Sequence, residues 1–398
     1  MKTLVLLLFC LSSVIVFSQP DKEYVQKEQR KAFYEKVSKK YNSAVIREIF
    51  NSDKDFLFEN YIDGHTEYKL INSYSTVIHE LLHGYNNSEM SGHHYLVDSG
   101  ESIFVQYGKY YNSKELNSYV RKGQQDSIFR YGIYVGAKKD IPGHKGGHQG
   151  INASEKSEVF SIAKGICGLL EEYCAYYFGN LAMYEAHGYF LDNYGDTNPK
   201  AWKDYKHEIY SDLLAYYEFN LFMAWYVIYA KEKHPDVYND IQTNKPLRVI
   251  FTLLSDKFKK LSEEIEKQMV AVNKTIGPDF MEVIDFSGSD DDLFRFLEIG
   301  GMKPNEIYKE EATVVNGKSI MMKKSILSKE NYTTLKAEYK KAIDQIKKQV
   351  GGDLMLYFAQ PKLQIAYLKR QFTPELKAEL EKLRIEEVTI VNYKAYLK

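Results

Sequence analysis

The spacing of apolar residues predicts that helices make up most of this chain. Across residues 21–49, apolar side chains recur every four positions, which is typical of an amphipathic helix or helix pair. Residues 154–186 and 202–232 are rich in apolar and aromatic side chains, and they predict two long buried helices. A break is expected in the first of them, near Gly165 or Gly179, because glycine weakens a helix interior.

Two short runs of β-prone residues predict a small sheet ahead of these helices. Residues 102–107 and 128–135 are rich in β-branched and aromatic side chains, and the helix-like residues 114–121 lie between them. We therefore expect a mostly antiparallel sheet or hairpin within residues 95–139. The next segment, residues 142–150, contains four glycines and two histidines and predicts a loop.

The composition changes beyond Pro246. Lysine and glutamate alternate with apolar residues along three predicted amphipathic helices, at residues 247–273, 329–350 and 374–384. The dipeptide Asn316-Gly317 lies between two β-prone runs and predicts a β-hairpin near residues 312–323. The chain is therefore expected to be mainly α with a small antiparallel β element. Its residues 241–398 are expected to form a helical accessory domain.

The first residues predict export from the cell. Lys2 precedes an apolar run over residues 4–17, which is too short to span a bilayer comfortably. This pattern is typical of a secretory signal peptide over residues 1–18, with cleavage expected between Ser18 and Gln19. A lipid-anchored alternative would use Cys10, but the residues before it are not the small ones expected there. We therefore expect a protein of a bacterial periplasm or a secreted protein.

The charge balance and the apolar runs argue against two classes of partner. The chain has 53 basic and 54 acidic residues, so no net field attracts nucleic acid or anionic lipid. A membrane span is not expected either, because Asp212 and Glu218 interrupt the longest later apolar run. Cys167 and Cys174 are separated by seven helical residues, about 10 Å. That separation exceeds the reach of a disulfide, so both are expected to be free thiols.

The most specific motif is His-Glu-Leu-Leu-His at residues 79–83. It lies in a further predicted helix, which Ser73 or Ser75 is expected to cap and Gly84 to end. Two histidines four residues apart project from one face of a helix and can bind one metal ion. A catalytic zinc ion (Zn²⁺) needs such ligands, an open position for water, and a carboxylate that accepts the proton of that water. His79 and His83 are the candidate ligands, and Glu80 is the candidate base.

The residues alone leave the identity of the third protein ligand undecided. Glu89 lies ten residues after His79, where the metzincin peptidases have a ligand, but Asn86 replaces the glycine of their turn. Downstream, Glu171 and Glu172 lie among apolar and aromatic residues, where a buried acid needs a partner. A metal ion would be such a partner. Any of these three glutamates, or a further histidine, can complete the set.

Together with HELLH, the segment GLLEEYCAYYFG at residues 168–179 resembles the gluzincins, the zinc peptidases that include thermolysin. The resemblance covers fewer than a tenth of the residues. It implies that Glu172 is the third zinc ligand, with Ala175 at the small-residue position three residues later and an aromatic residue at Tyr177. It also implies that Glu171 supports the metal site from beside it. The expected fold is then a zincin-like catalytic domain over residues 19–240.

A hydrolase of this kind also needs a hydrogen-bond donor for the charge that develops on the attacked carbonyl oxygen. His144 and His148 are candidates, because the glycines around them let the backbone approach a substrate closely. His93, His94 and Tyr176 are further candidates for the same role.

These patterns lead to one expectation and two alternatives. We expect an exported zinc metallopeptidase that hydrolyses peptide or protein substrates with metal-activated water, with Glu80 as general base. The first alternative is a zinc hydrolase of a non-peptide amide. The second is a binding protein that keeps the same scaffold without turnover. Neither the cleavage preference nor the oligomeric state can be predicted from these residues.

Overall fold

Helices dominate the fold, and the strands form two small antiparallel sheets. A computed structural model of the chain describes residues 22–86, 89, 91–121, 124–125, 128–135, 163–195, 198–276, 293–294, 304–315, 318–350, 364–365, 368–369 and 371–397. The helices are α1 Lys27–Tyr41, α2 Ala44–Asn51, α3 Glu67–Asn72, α4 Tyr74–Tyr85, α5 Tyr131–Tyr134, α6 Gly165–Glu185, α7 His187–Tyr194, α8 Pro199–Lys233, α9 Pro235–Thr243, α10 Lys245–Ile276, α11 Pro304–Ile307, α12 Lys329–Val350, α13 Pro374–Lys382 and α14 Tyr393–Tyr396. The strands are β1 Gly92–Asp98, β2 Glu101–Gln106, β3 Tyr308–Val315 and β4 Lys318–Ser325.

The N-terminal apolar pattern forms a helix pair, α1 and α2, as predicted. The buried aromatic ring of Tyr34 stacks on that of Tyr74 at the start of α4, with ring centroids 5.5 Å apart. Its hydroxyl donates a hydrogen bond to the carbonyl oxygen of Leu70, at 2.8 Å. Phe50 of α2 and Phe58 complete the cluster around this ring. The helix pair therefore supports the first turn of the helix that carries HELLH.

Helix α4 begins where the sequence predicts but ends one residue later. Ser73 is its N-cap residue, yet its hydroxyl accepts a hydrogen bond from the backbone of Asp63 instead of capping the helix. Gly84 does not end the helix, which continues to Tyr85. Asn86 then ends it, and its amide oxygen accepts a hydrogen bond from the backbone N–H of Leu96 in β1, at 3.0 Å.

The small sheet exists, but one of its two predicted strands is wrong. Residues 102–107 correspond to β2, and its antiparallel partner is β1, which precedes it. Residues 128–135, predicted as β-prone, instead contain the short helix α5. Ile128, Tyr131 and Val135 are all buried, and their spacing of three and four residues suits a helix that packs on the core. Packing therefore overrides the β propensity of this segment.

Helices α4 and α6 cross at very short range because of Gly179. A Cβ atom at this position would lie 2.8 Å from the carbonyl oxygen of Ser75 and 3.3 Å from Cβ of His79. No larger residue fits there without moving one of the helices. Helix α6 does not break at Gly179. The other predicted break, Gly165, is the first residue of α6 and has a φ of 55°. Residues 154–162 of the predicted helix lie outside the described residues.

The long helix α8, of 35 residues, packs against α6. The C-terminal predictions for a hairpin and helices are also reproduced by β3, β4, α12 and α13, with Val315 paired to Lys318 beside the predicted turn.

In this structure, none of the helices searched among the described residues has the length and apolar character of a membrane span.

The last described segment returns to the earlier part of the chain. Glu379 of α13 is buried and forms a salt bridge of 2.6 Å with Lys231 at the end of α8. Further on, the hydroxyl of Tyr393 donates a hydrogen bond of 2.7 Å to Glu101 of β2. Residues 371–397 are therefore fixed to α8 and to the first sheet.

Two acids on α8 are held in a recess of the protein. Burial raises the pKa of Glu208 to about 8, and the neighbouring carboxylates of Asp212 and Asp204 add to the effect. Burial also raises the pKa of Asp212 to about 6, although Arg130 and the hydroxyl of Ser75 act in the opposite direction. Both acids are one turn apart and half-buried. The folded state therefore favours their protonated forms.

These shifts give the stability of the protein a definite pH dependence. In the unfolded chain both acids have pKa values of about 4, so the folded state binds more protons between that pH and about 8. Their contribution to the free energy of unfolding is present at low pH and is lost as the pH rises through the folded pKa values. The free energy of unfolding, measured by urea denaturation, should fall less between pH 5 and pH 8 in Glu208→Gln than in the wild-type protein. Glu232→Gln, an exposed change on the same helix, is the control, and an unchanged pH dependence in Glu208→Gln would contradict the assignment.

Candidate metal centre

The close crossing of α4 and α6 brings the predicted ligands together. His79 and His83 lie one turn apart on α4 and face Glu172 of α6. The side chains of His79 and Glu172 are buried, whereas 28% of the His83 side chain is accessible to solvent. Solvent therefore reaches these three side chains mainly at His83.

The three ligand atoms form a compact triangle. Nε2 of His79 lies 3.1 Å from Nε2 of His83. Oε2 of Glu172 lies 3.6 Å from the first nitrogen and 3.8 Å from the second. Three ligands at tetrahedral angles around zinc, with bonds of about 2.0 to 2.2 Å, would be roughly 3.3 to 3.6 Å apart. These residues therefore form a candidate metal-binding triad, and both the spacing and the chemistry of its donors fit a zinc ion.

Glu171, the neighbour of the ligand Glu172, orients one of the histidines. Its Oε1 atom lies 2.6 Å from Nδ1 of His83 and 3.9 Å from Nε2 of His93, and its side chain is 4% exposed. A carboxylate on the second nitrogen of a ligating histidine fixes the ring and its tautomer. Glu171 therefore occupies the supporting position that the sequence predicts. The buried Nδ1 of His79 has no such partner among the described residues.

The two histidines differ in charge without a metal. Burial and the charge of His83 lower the pKa of His79 to about 3, so that its ring is neutral. Burial also acts to lower the pKa of His83, but the carboxylates of Glu171 and Glu172 outweigh it and raise this pKa to about 10. His83 therefore carries a proton on each nitrogen and can donate one of them to Nε2 of His79.

Glu80 lies near the ligands, because its charge acts to raise the pKa of both His79 and His83. Adjacent helix residues point about 100° apart, so Glu80 projects beside the face that carries the histidines. It is half-buried, and its charge adds to the effect of burial in raising the pKa of Tyr61. A carboxylate therefore lies near the triad, on the residue that the sequence predicts as the base.

An arginine and two tyrosines surround the other side of the triad. The ring of Tyr176 packs edge-on against that of His79, with centroids 4.3 Å apart. Its hydroxyl lies 3.0 Å from that of Tyr134 in α5. The guanidinium of Arg130 lies over the Tyr176 ring, 4.4 Å from its centroid. Neither Arg130 nor Tyr134 is predicted from the sequence. The one available signal is Glu218, an acid inside an apolar helix, which requires a buried partner.

The remaining candidates do not join the triad. The Glu89 side chain is 52% exposed and pairs with His94 at 3.0 Å, so this acid is not part of the ligand group. His93 is buried, and burial lowers its pKa to about 4. His144 and His148 lie outside the described residues and stay predictions.

Comparison of the chain with protein-family models, with curated proteins and with solved structures finds no match. The assignment of this site therefore depends on its own residues and their geometry.

The two neighbouring glutamates should have different effects on metal binding. Glu172→Ala removes a ligand and should abolish stoichiometric zinc binding. Glu171→Ala removes the group that orients His83 and should weaken zinc binding by about 10- to 100-fold. Calorimetry and metal analysis of the purified variants measure both effects. Glu89→Ala is the control and should bind zinc normally. Loss of zinc in the control with retention in Glu172→Ala would reverse the assignment.

Zinc binding should also release a proton near neutral pH. His83 is protonated on both nitrogens there, because its pKa is about 10, and its Nε2 must lose a proton to bind a metal. His79 is already neutral and contributes none. Calorimetric titration in two buffers with different ionisation enthalpies measures the number released, which should be near one per zinc and smaller in Glu171→Gln. A binding enthalpy independent of the buffer would contradict this protonation state.

Proposed function

We propose that this protein is an exported zinc metallopeptidase of the gluzincin type, with a zincin-like catalytic core. The observation that carries the proposal is the triangle formed by His79, His83 and Glu172, with the charge of Glu80 close enough to act on both histidines. Two imidazoles and one carboxylate, with a fourth side open, are a typical ligand set of catalytic zinc. The signal-like N-terminus supports export, to a bacterial periplasm or beyond the cell.

Zinc in this position supplies Lewis acidity, which lowers the pKa of a water molecule and polarises the carbonyl group of a peptide. Glu80 accepts a proton from the attacking water as the oxygen of that water forms a bond to the carbonyl carbon. The C–N bond then breaks, and Glu80 returns the proton to the leaving amine. Glu171 meanwhile holds His83 in position through Nδ1.

The attacked carbonyl oxygen gains negative charge and needs hydrogen-bond donors. Tyr134 and Tyr176 are suited to this role, because their hydroxyls lie together beside Glu172 and His79. Two hydroxyls carry two hydrogens, and the bond between them uses only one. Among the described residues neither hydroxyl has another acceptor, so one hydrogen is available to a substrate.

The decisive variant is Glu80→Gln. Glutamine keeps the size of the side chain and its contacts but cannot accept the proton, so zinc should stay bound while kcat falls by about 10² to 10⁴-fold. The measurement is zinc content together with a broad peptide-cleavage profile, and Glu89→Gln serves as the exposed control.

Three results would each identify a different function. Cleavage that is unchanged in Glu80→Gln would remove Glu80 from the mechanism. Zinc binding with cleavage of non-peptide amides alone would identify an amidase. Stoichiometric zinc and peptide binding without any turnover in the wild-type protein would identify a binding protein.

A further inference from the structure

The chain places a fully buried ion pair next to the candidate metal centre. Arg130 is 2% exposed, and its Nη1 atom donates to Oε2 of Glu218 at 2.7 Å. Its Nη2 atom donates to the carbonyl oxygen of Ser211 at 2.8 Å. Glu218 is completely buried and also accepts the backbone N–H of Arg130, at 3.3 Å. Arg130 is therefore held to α8 by three hydrogen bonds, two of them from its guanidinium.

Stability alone does not account for this pair. Removing an arginine and a glutamate from water is costly, and apolar residues of similar volume often stabilise a core at least as well. Leu214, Phe219 and Leu221, which lie near Glu218 along α8, are all buried. In addition, Nε of Arg130 has no hydrogen-bond partner among the described residues. A buried arginine that does not gain stability in this way points to a role other than stabilising the core.

The contacts of Arg130 identify that role. Its guanidinium covers one face of the Tyr176 ring, and the edge of that ring packs on His79. Tyr134, one helical turn after Arg130, holds the Tyr176 hydroxyl at 3.0 Å. One segment of five residues thus fixes Tyr176 both at its face and at its hydroxyl. A cation over the ring also favours negative charge nearby.

We propose that Arg130 is a positioning residue: locked by Glu218, it holds Tyr176 so that the spare hydrogen of the Tyr134–Tyr176 hydroxyl pair points to the oxyanion of the substrate. This role rests on the proposed peptidase function, and Arg130 itself touches neither substrate nor metal. Small displacements of such donors are costly, because about 1 Å can reduce a rate by up to 100-fold.

The test replaces the whole ion pair. Removing Arg130 alone would leave Glu218 as an unpaired buried charge, so Arg130→Met is combined with Glu218→Met. Zinc content and KM should stay at wild-type values, while kcat falls by about 10- to 100-fold. Calorimetry with a phosphonate peptide, which mimics the tetrahedral oxyanion, should show the same loss of affinity. Adding Tyr176→Phe should cause little further loss, because Arg130 acts through Tyr176.

A second arginine–glutamate pair offers a matched control. Arg30 pairs with Glu59 and otherwise contacts backbone oxygens of Tyr24 and Val25. Arg30→Met combined with Glu59→Met should leave kcat and phosphonate affinity unchanged. If the Arg130 double variant does not fold, Arg130→Lys keeps a charge opposite Glu218 but cannot lie flat on the ring, and it should also reduce kcat without changing KM.

The outcomes separate the two levels of the proposal. Absence of phosphonate binding and peptide cleavage in the wild-type protein would overturn the proposed function, and the role of Arg130 with it. An active wild-type protein whose Arg130 variants keep kcat and phosphonate affinity would overturn the role of Arg130 alone. Variants that fold but lose their zinc would also overturn it, because they would make Arg130 a support of the metal site instead.

Discussion

Helices α4 and α6 approach each other closely at Gly179, where the absence of a side chain leaves room for the backbone of Ser75 and for His79. This contact sets the distance between the two helices along their whole crossing. Two turns before it on α6, Glu171 and Glu172 meet the two histidines of α4, each carboxylate in a different role. A helix pair separated by even one extra methyl group would place these atoms too far apart for one ion. The chemistry of the site therefore depends on a packing constraint at a residue that has no side chain.

Burying charged groups where α4 and α6 cross costs free energy. Three carboxylates, two imidazoles and an arginine lie within a largely apolar region, and each would be more stable in water. The protein limits the cost by pairing them: His83 with Glu171, and Arg130 with Glu218. A bound zinc ion would offset much of the remaining repulsion between the acids. The arrangement thus sacrifices some stability in favour of function, and the helix pair at the N-terminus supplies part of the packing that sustains it.

The sequence predicts the regular parts of this structure well, because helical periodicity is a local signal. The bounds of α12 agree at both ends, and those of α8, α10 and α13 agree to within three residues. The HELLH spacing and the acids of α6 likewise identify three ligand atoms that the structure brings within one triangle. Residues 128–135 were misassigned, because their β-prone side chains are used for packing a short helix. Arg130 and Tyr134 could not be predicted, because their roles arise only when that helix meets α6 and α8. The supporting role of Glu171 is implied by the resemblance to the gluzincins, whereas the residues alone leave Glu171 among the possible ligands.

The two halves of the metal centre are far apart along the chain, since His83 and Glu171 are 88 residues apart. Bringing them together closes a long loop, and the entropy of closure must be lost before any ion can bind all three ligands. A metal ion therefore cannot serve as an early nucleus for folding. Its binding instead stabilises the assembled native state and slows the unfolding that would separate the ligands again. For an exported protein, as we propose this one to be, such slow unfolding is the form of stability that matters.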